Sequence, residues 1–292
     1  MYAIVGAAGN VGYSTASALR KAGMPVRAIL RDAAKAARLS EIGCEIALGD
    51  LQDAESLAKA IGDADTVQII LPASLQAEDI AGDMLRTIES LVLGIEKARP
   101  ERVLAISDYG AHVTGDIGMP TMFHAFEKRL GQIDCHMQIL RSAEHMHNWG
   151  RVVSVAMASG TLPSFHAPLD RVFPTIAAPD LGLIAADLLL LPAKGKSLDV
   201  IHAEGPRRYS ANDVATVLTQ LLGQTIRAQT VPRSQWKGVL ERGMSASFAD
   251  LLIKTNDAHN QGGLIDVEPD AGDVRYGTTE LMDALRPFCR PH

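Results

Sequence analysis

Residues 2–12 read Tyr-Ala-Ile-Val-Gly-Ala-Ala-Gly-Asn-Val-Gly. The apolar run Tyr2–Val5 predicts a buried strand, and Val11–Lys21 predicts a helix ended by Gly23. Three glycines, Gly6, Gly9 and Gly12, sit in the turn between them. Each has a separate task in such a turn. Gly6 allows the tight reversal, Gly9 lets backbone N–H groups approach a pyrophosphate, and Gly12 lets the helix pack close to the strand. Asn10 and Val11 open the helix, whose positive N-terminal end faces the same point. A strand, this loop and a helix in that order form the context in which glycine spacing signals a dinucleotide site.

The same rhythm continues outward. Further strands are predicted at Val26–Leu30, Glu45–Leu48, Val67–Leu71, Val103–Ile106 and Met137–Leu140. Helices are predicted between them at Ala33–Leu39, Ala54–Ile61, Leu75–Ala98 and about Met122–Leu130. Strand–helix alternation predicts right-handed crossovers and a parallel sheet. The fold expected is therefore α/β, a Rossmann-like doubly wound parallel sheet with a smaller C-terminal α+β lobe. Residues 1–142 would form the dinucleotide domain and 143–292 the lobe that closes over the sheet, with strands able to return to the parent sheet. In the second half, turn residues are denser. A helix is expected after Asp180, a strand at Leu198–His202, and helices at Asn212–Leu222, Ser234–Leu240 and Ala246–Ile253. Ser210 with Asp213 has the spacing of a capping box.

Two further positions bear on the cofactor. Arg31 lies 19 residues past Gly12, where an acidic residue would hold the ribose hydroxyls of NAD. A cation there suits the 2′-phosphate, which places NADP(H) ahead of NAD(H), although Asp32 follows directly. Gly49-Asp50-Leu51 follows the third strand, where Asp50 and neighbouring backbone could hold the adenine edge. Leu71, at the end of the fourth strand, completes the expected cofactor set.

Composition narrows the function classes. The 292 residues carry 28 Lys and Arg against 34 Asp and Glu, a formal charge of −6 that argues against nucleic acid as a partner. No apolar run reaches the length of a membrane span. The chain enters its first strand at once, so no signal peptide is expected, and cytoplasmic residence is the reading. Three scattered cysteines, Cys44, Cys135 and Cys289, make neither a disulfide framework nor a thiolate metal site.

The chain resembles the NmrA-like group of atypical short-chain dehydrogenases/reductases, in particular its quinone-reductase-like bacterial members. The matching stretches are Gly6–Gly12, Val26–Asp32, Gly49–Asp53, His124–Leu130, Leu140-Arg141, Met146–Trp149, Glu204-Gly205-Pro206 and Tyr209–Ala215. The resemblance implies an NAD(P)-binding Rossmann-like domain with a small lobe forming a substrate cleft. It also implies a mixed set of activities, with NADPH-dependent reductases beside cofactor-binding regulators that lack catalysis.

Many members of the wider superfamily carry a Ser followed by Tyr-x-x-x-Lys, with Tyr as proton donor. Here Ser107 stands at the end of the fifth strand, but Tyr109 has Val113 four residues on. The following helix offers His124 and Lys128 at i, i+4, on one helix face, where a His–Lys pair could replace Tyr–Lys. The expected catalytic set is therefore Lys128, His124, Tyr109 and Ser107, with Lys128 also a cofactor anchor. Six of the nine histidines lie between His112 and His166, so His145 and His147 are the first pair to weigh as metal ligands. Neither Cys-x-x-Cys nor His-Glu-x-x-His accompanies them, so no metal is expected.

Six of the thirteen aromatic rings, from Tyr109 to Phe173, fall in the segment that should surround the sheet's C-terminal mouth. Such a cleft suits a small, flat, apolar carbonyl or quinone-like substrate. A quinone yields a more stable anion than a simple ketone, so the missing tyrosine shifts the expectation from ketones towards quinones and enones. The expectation is an NADPH-dependent oxidoreductase acting as monomer or homodimer. A non-catalytic NAD(P)-binding redox sensor is the alternative, and an epimerase is disfavoured for want of an acid/base pair.

Overall fold

The computed structural model describes residues 1–289. Its first half alternates β1 (Tyr2–Val5), α1 (Asn10–Lys21), β2 (Val26–Leu30), α2 (Ala37–Glu41), β3 (Glu45–Leu48), α3 (Ala54–Ile61), β4 (Thr66–Ile70), α4 (Ile80–Ala98), β5 (Arg102–Asp108), α5 (Met119–Leu130) and β6 (His136–Ser142). The second half adds β7 (Glu144–His145), α6 (Gly150–Ser159), β8 (Thr161–Ser164), β9 (Thr175–Ile176), α7 (Ala178–Leu190) and β10 (Ser197–Glu204). It ends with α8 (Ala211–Leu222), β11 (Arg227–Thr230), α9 (Trp236–Leu240), α10 (Ala246–Gln261), β12 (Val274–Tyr276) and α11 (Leu281–Leu285).

Eight strands form one parallel sheet in the order β12-β10-β6-β5-β4-β1-β2-β3. Chain direction across the sheet reverses between β1 and β4, the position at which open α/β sheets bind ligands. Alternate side chains of each strand feed two cores. Ile4, Leu104 and Ile106 pack with α1 and α7 on one face. Ala3, Val5, Val67, Ile69 and Val103 pack with α3, α4 and α5 on the other. A third core, around Met146, Trp149, Tyr209 and Leu218, supports the lobe. Two short parallel ribbons, β8 with β11 and β7 with β9, lie outside the main sheet.

Residues from the second half complete the first. β10 pairs with β6 along its length, and β12 pairs with β10. α7 lies against α1 so closely that a Cβ on Gly182 would meet the Val11 carbonyl oxygen at 2.4 Å. Thr15 Oγ1 donates to the Gly182 carbonyl at 3.0 Å across that contact. Buried Arg102, on β5, donates to the carbonyls of Leu188, Leu189 and Leu191 and so satisfies the C-terminal end of α7.

Most predicted elements form within a residue or two, and the Ser210–Asp213 capping box is present. Two helices differ. α4 starts at Ile80 rather than Leu75, because the Leu75 carbonyl accepts from Ser245 N and Asp79 caps the helix through Gly82 N at 3.0 Å. α10 continues past Ile253 to Gln261. Its last eight residues, Lys254–Gln261, are mostly polar and so lack the apolar periodicity that marks a helix in sequence. Among the described residues no helix is long and apolar enough to cross a membrane.

Candidate active site

The glycine loop divides its tasks as its spacing predicts. Gly6 adopts φ +72°, and a Cβ there would meet Ile70 Cγ2 at 2.7 Å. A Cβ on Gly12 would lie 2.5 Å from the Gly6 carbonyl oxygen, so close packing of helix on strand excludes any side chain. Gly9 differs: its nearest neighbour would be the Gly6 carbonyl at an ordinary 3.4 Å. The fold therefore does not require glycine at 9; its bareness leaves space above the N-terminus of α1. That N-terminus has no side-chain cap, and no acidic residue sits in its first turn. Uncapped N–H groups beside a bare residue fit a pyrophosphate.

The flanking residues fit the rest of a dinucleotide. Arg31 follows β2, is exposed, and forms no ion pair among the described residues. Asp32 points elsewhere: its carboxylate accepts Ala34 N at 2.9 Å. Asp50 is exposed and accepts Gln52 N at 2.9 Å through one oxygen. The helix cap at α3 is instead Asp53, which accepts from Glu55 N and Ser56 N. Leu51 is partly buried and packs on the core beside α3 and α4.

Beyond the loop, the C-terminal ends of β4, β5 and β6 open on a cavity of about 290 Å³. Ile70, Leu71, Ile106 and Phe123 make it apolar, while Ser107, Asp108, Glu144 and His145 bring polar groups from the strand ends. α10 closes the far side with Leu252, Thr255, Asn256 and His259. A second cavity, of about 560 Å³, shares Glu144, Asn148, Leu252 and Asn256 with the first. It is lined by Trp149, Phe165, Leu240 and Met244.

The electrostatics of the inner cavity are unusual. Burial pushes the Asp108 carboxyl up to about 8, with the negative charges of Glu144 and Glu127 adding and the Tyr109 N–H opposing. Burial also raises Glu144 to about 7, against the hydrogen bond from Asn148 and the charge of Arg151. His145 is held down to about 3 and His259 to about 4, both chiefly by burial, so both imidazoles are neutral. Glu144 Oε2 lies 3.9 Å from His166 Nε2 and 4.0 Å from His259 Nε2.

The expected catalytic residues are redistributed. Ser107 lines the cavity, and its hydroxyl donates to Glu127 Oε1 at 2.5 Å. Glu127 in turn accepts two bonds from Arg141, at 2.9 and 2.7 Å. Tyr109 does not line the cavity: it is fully buried in the core, its ring edge-on to His202 at 5.6 Å, and its hydroxyl has no hydrogen-bond partner among the described residues. The His124–Lys128 pair is corrected in phase. The face of α5 turned to the site carries Met119, Phe123 and Glu127 at i, i+4, i+8. His124 and Lys128 sit one residue later, about 100° further round the helix. His124 Nδ1 lies 2.8 Å from the Ala111 carbonyl, and Lys128 is exposed; neither lines the cavity. His145 and His147 stack loosely at 5.1 Å, and among the described residues no three His, Cys, Asp or Glu converge as a metal site.

Residues 6–144 match the NAD(P)H-binding family. The matched stretch holds the glycine loop, Arg31, Asp108 and Glu144. Over 254 residues the chain is 24% identical to an NAD(P)H azoreductase of Xenophilus azovorans, covering 86% of this chain and 85% of that one. It is 22% identical to quinone oxidoreductase 2 of Escherichia coli, over 98% and 97% of the two chains. Among solved structures, the Escherichia coli NADPH-dependent quinone oxidoreductase complexed with NADPH superposes at TM-score 0.81. It shares 21% identity over 99% of this chain and all of the other. Triphenylmethane reductase of Citrobacter superposes at 0.82 with 18% identity, over 99% of both chains. These superpositions show that the shared fold continues beyond residue 144.

Proposed function

We propose that the chain is an NAD(P)H-dependent reductase that uses NADPH in preference to NADH and reduces a small, flat, quinone-like acceptor. The observation that carries this reading is the juxtaposition of two sites. The bare Gly9 and uncapped α1 lie at the β1/β4 reversal, and an apolar cavity opens at the ends of the adjacent β4 and β5. When bound, the reduced nicotinamide supplies a hydride.

The residues of this chain supply the remainder. The Gly6–Gly12 loop would hold the pyrophosphate on backbone N–H groups, and Arg31 the 2′-phosphate. Leu71, Ile106 and Phe123 would exclude water and present an apolar surface to the acceptor's ring. Ser107, which lines the cavity, is held in one geometry by Glu127 and through it by Arg141, and such positioning contributes much of the rate when two reactants must meet. The names of the azoreductase and quinone oxidoreductase relatives support the acceptor class.

The test is NADPH consumption with a panel of benzoquinones, naphthoquinones and enones, with cofactor binding measured by calorimetry in the same preparation. Turnover with quinones is the expected result. Tight NADPH binding without turnover on any acceptor would instead identify a redox sensor.

A further inference from the structure

We propose that Asp108 is the proton donor to the reduced acceptor, and that Glu144 returns a proton to it from the outer cavity. This inference rests on the reductase reading and names the acid that a site without Tyr-x-x-x-Lys would need.

Elimination within the inner cavity leaves two carboxyls, and of these Asp108 lines that cavity alone whereas Glu144 is shared with the outer one. The hydroxyls are already donated, Ser107 to Glu127, Ser142 to the Ala143 carbonyl and Thr255 to the Leu251 carbonyl. Tyr109 is in the core, and His145 and His259 carry no proton to spare when neutral. Asp108 stands at the last residue of β5, in register with Ser142 of β6, and Glu144 follows two residues later. Both carboxyls line the same cavity. The groups facing Asp108 from neighbouring elements are Glu144 and His145 on β7, Glu127 on α5 and His259 on α10. The cation closest in chemistry, Arg141 on β6, is committed to Glu127 and Glu268. Apolar walls, two acids and neutral imidazoles all favour the protonated carboxyl. Glu144 lines both cavities, so it joins the enclosed site to the wider one.

The step balances. The acceptor takes a hydride from the reduced nicotinamide, which leaves as the oxidised form. The oxyanion created on the acceptor takes the proton as the Asp108 O–H bond breaks and a new O–H bond forms. The Asp108 carboxylate then takes up one solvent proton, relayed through Glu144. The sum is quinone, NADPH and H⁺ giving hydroquinone and NADP⁺.

The experiment compares wild type, Asp108→Asn, Asp108→Glu and Glu144→Gln with quinones whose reduced anions differ in basicity. Asp108→Asn should lower kcat by about 10²-fold for the most basic anion. The loss should shrink as the anion becomes less basic, and Asp108→Glu should recover part of it. Glu144→Gln removes a like charge, so Asp108 should lose its proton at lower pH and the alkaline limb of kcat should move down. A readout free of turnover is stability. A carboxyl held near 8 in the fold but near 4 in the unfolded chain stabilises least at high pH. The Tm of Asp108→Asn should therefore gain on wild type as pH rises from 5 to 9, by the unfolding profile alone. A kcat within about threefold of wild type, or a loss equal for every quinone, would overturn Asp108 as donor even in an active reductase. A wild type inactive on all acceptors removes the reductase reading itself, while the stability profile still reports whether Asp108 is protonated.

Discussion

The glycine loop and the acid cavity sit at the same edge of one sheet, yet they are encoded in opposite ways. The loop is a backbone device. Its members lie within seven consecutive residues, Gly6 to Gly12, and two of its three glycines are required by contacts of the fold itself. The cavity is a side-chain device. Asp108 ends β5, Glu144 opens β7 and His259 lies on α10, so the set is drawn from positions spread between residues 108 and 259 of the chain. A site made from one turn binds anything with the right phosphate. A site made from three distant elements selects what reacts there. Chemistry can therefore change in such a chain while the cofactor loop stays still.

The comparison is broken most severely inside the loop. Gly12→Val should unfold the protein, because even a Cβ would lie 2.5 Å from backbone oxygen. Gly9→Val should fold normally by circular dichroism but lose NADPH binding in calorimetry, since the fold leaves room for the side chain and the phosphate does not. Equal behaviour of the two variants would contradict the division of labour between the glycines.

A middle-sized effect should separate the two faces of α5. Glu127→Ala strands part of the buried Arg141 charge and should cost about 3 kcal/mol, or roughly 6–12 °C in Tm. Lys128→Ala is an exposed change and should stay within about 0.5 kcal/mol. Thermal melts of both decide the helix phase, and a larger loss at Lys128 would restore the Tyr-x-x-x-Lys alignment.

The smallest effect belongs to the rim of the loop. Arg31→Ala should reduce the preference for NADPH over NADH by about ten- to a hundredfold, the worth of one charge-assisted phosphate contact. Titration of both cofactors into both proteins measures it. An unchanged ratio would remove Arg31 from the site.

The sheet and the loop were legible because short continuous apolar runs and glycine spacing are local signals. The cavity was only partly so. Ser107 is identifiable from its place at a strand end, but its neighbour Asp108 carries no motif, and its raised carboxyl arises from walls supplied elsewhere. Spacing alone put His124 and Lys128 on one helix face without saying which face looks inward; Phe123 and Glu127 occupy it. His259 lies in the polar last turns of α10, where apolar periodicity gives no sign of a helix. The order 3-2-1-4 at the loop could be inferred from crossover rules, whereas the arrival of β10 and β12 at the far edge depends on contacts between distant segments.

The packing of α7 against α1 bears on how this chain can be divided. The helix that opens at the glycine loop is backed by Gly182 of α7, whose carbonyl accepts from Thr15 of α1, and α7 is anchored in turn by Arg102 of β5. A fragment ending at residue 142 would keep every glycine of the loop and still leave α1 unsupported along one side. The binding motif and the smallest piece of chain able to bind are thus expected to differ, the second including α7. Grafts or truncations that take the first half as a portable cofactor module would carry the letters of the site without its backing.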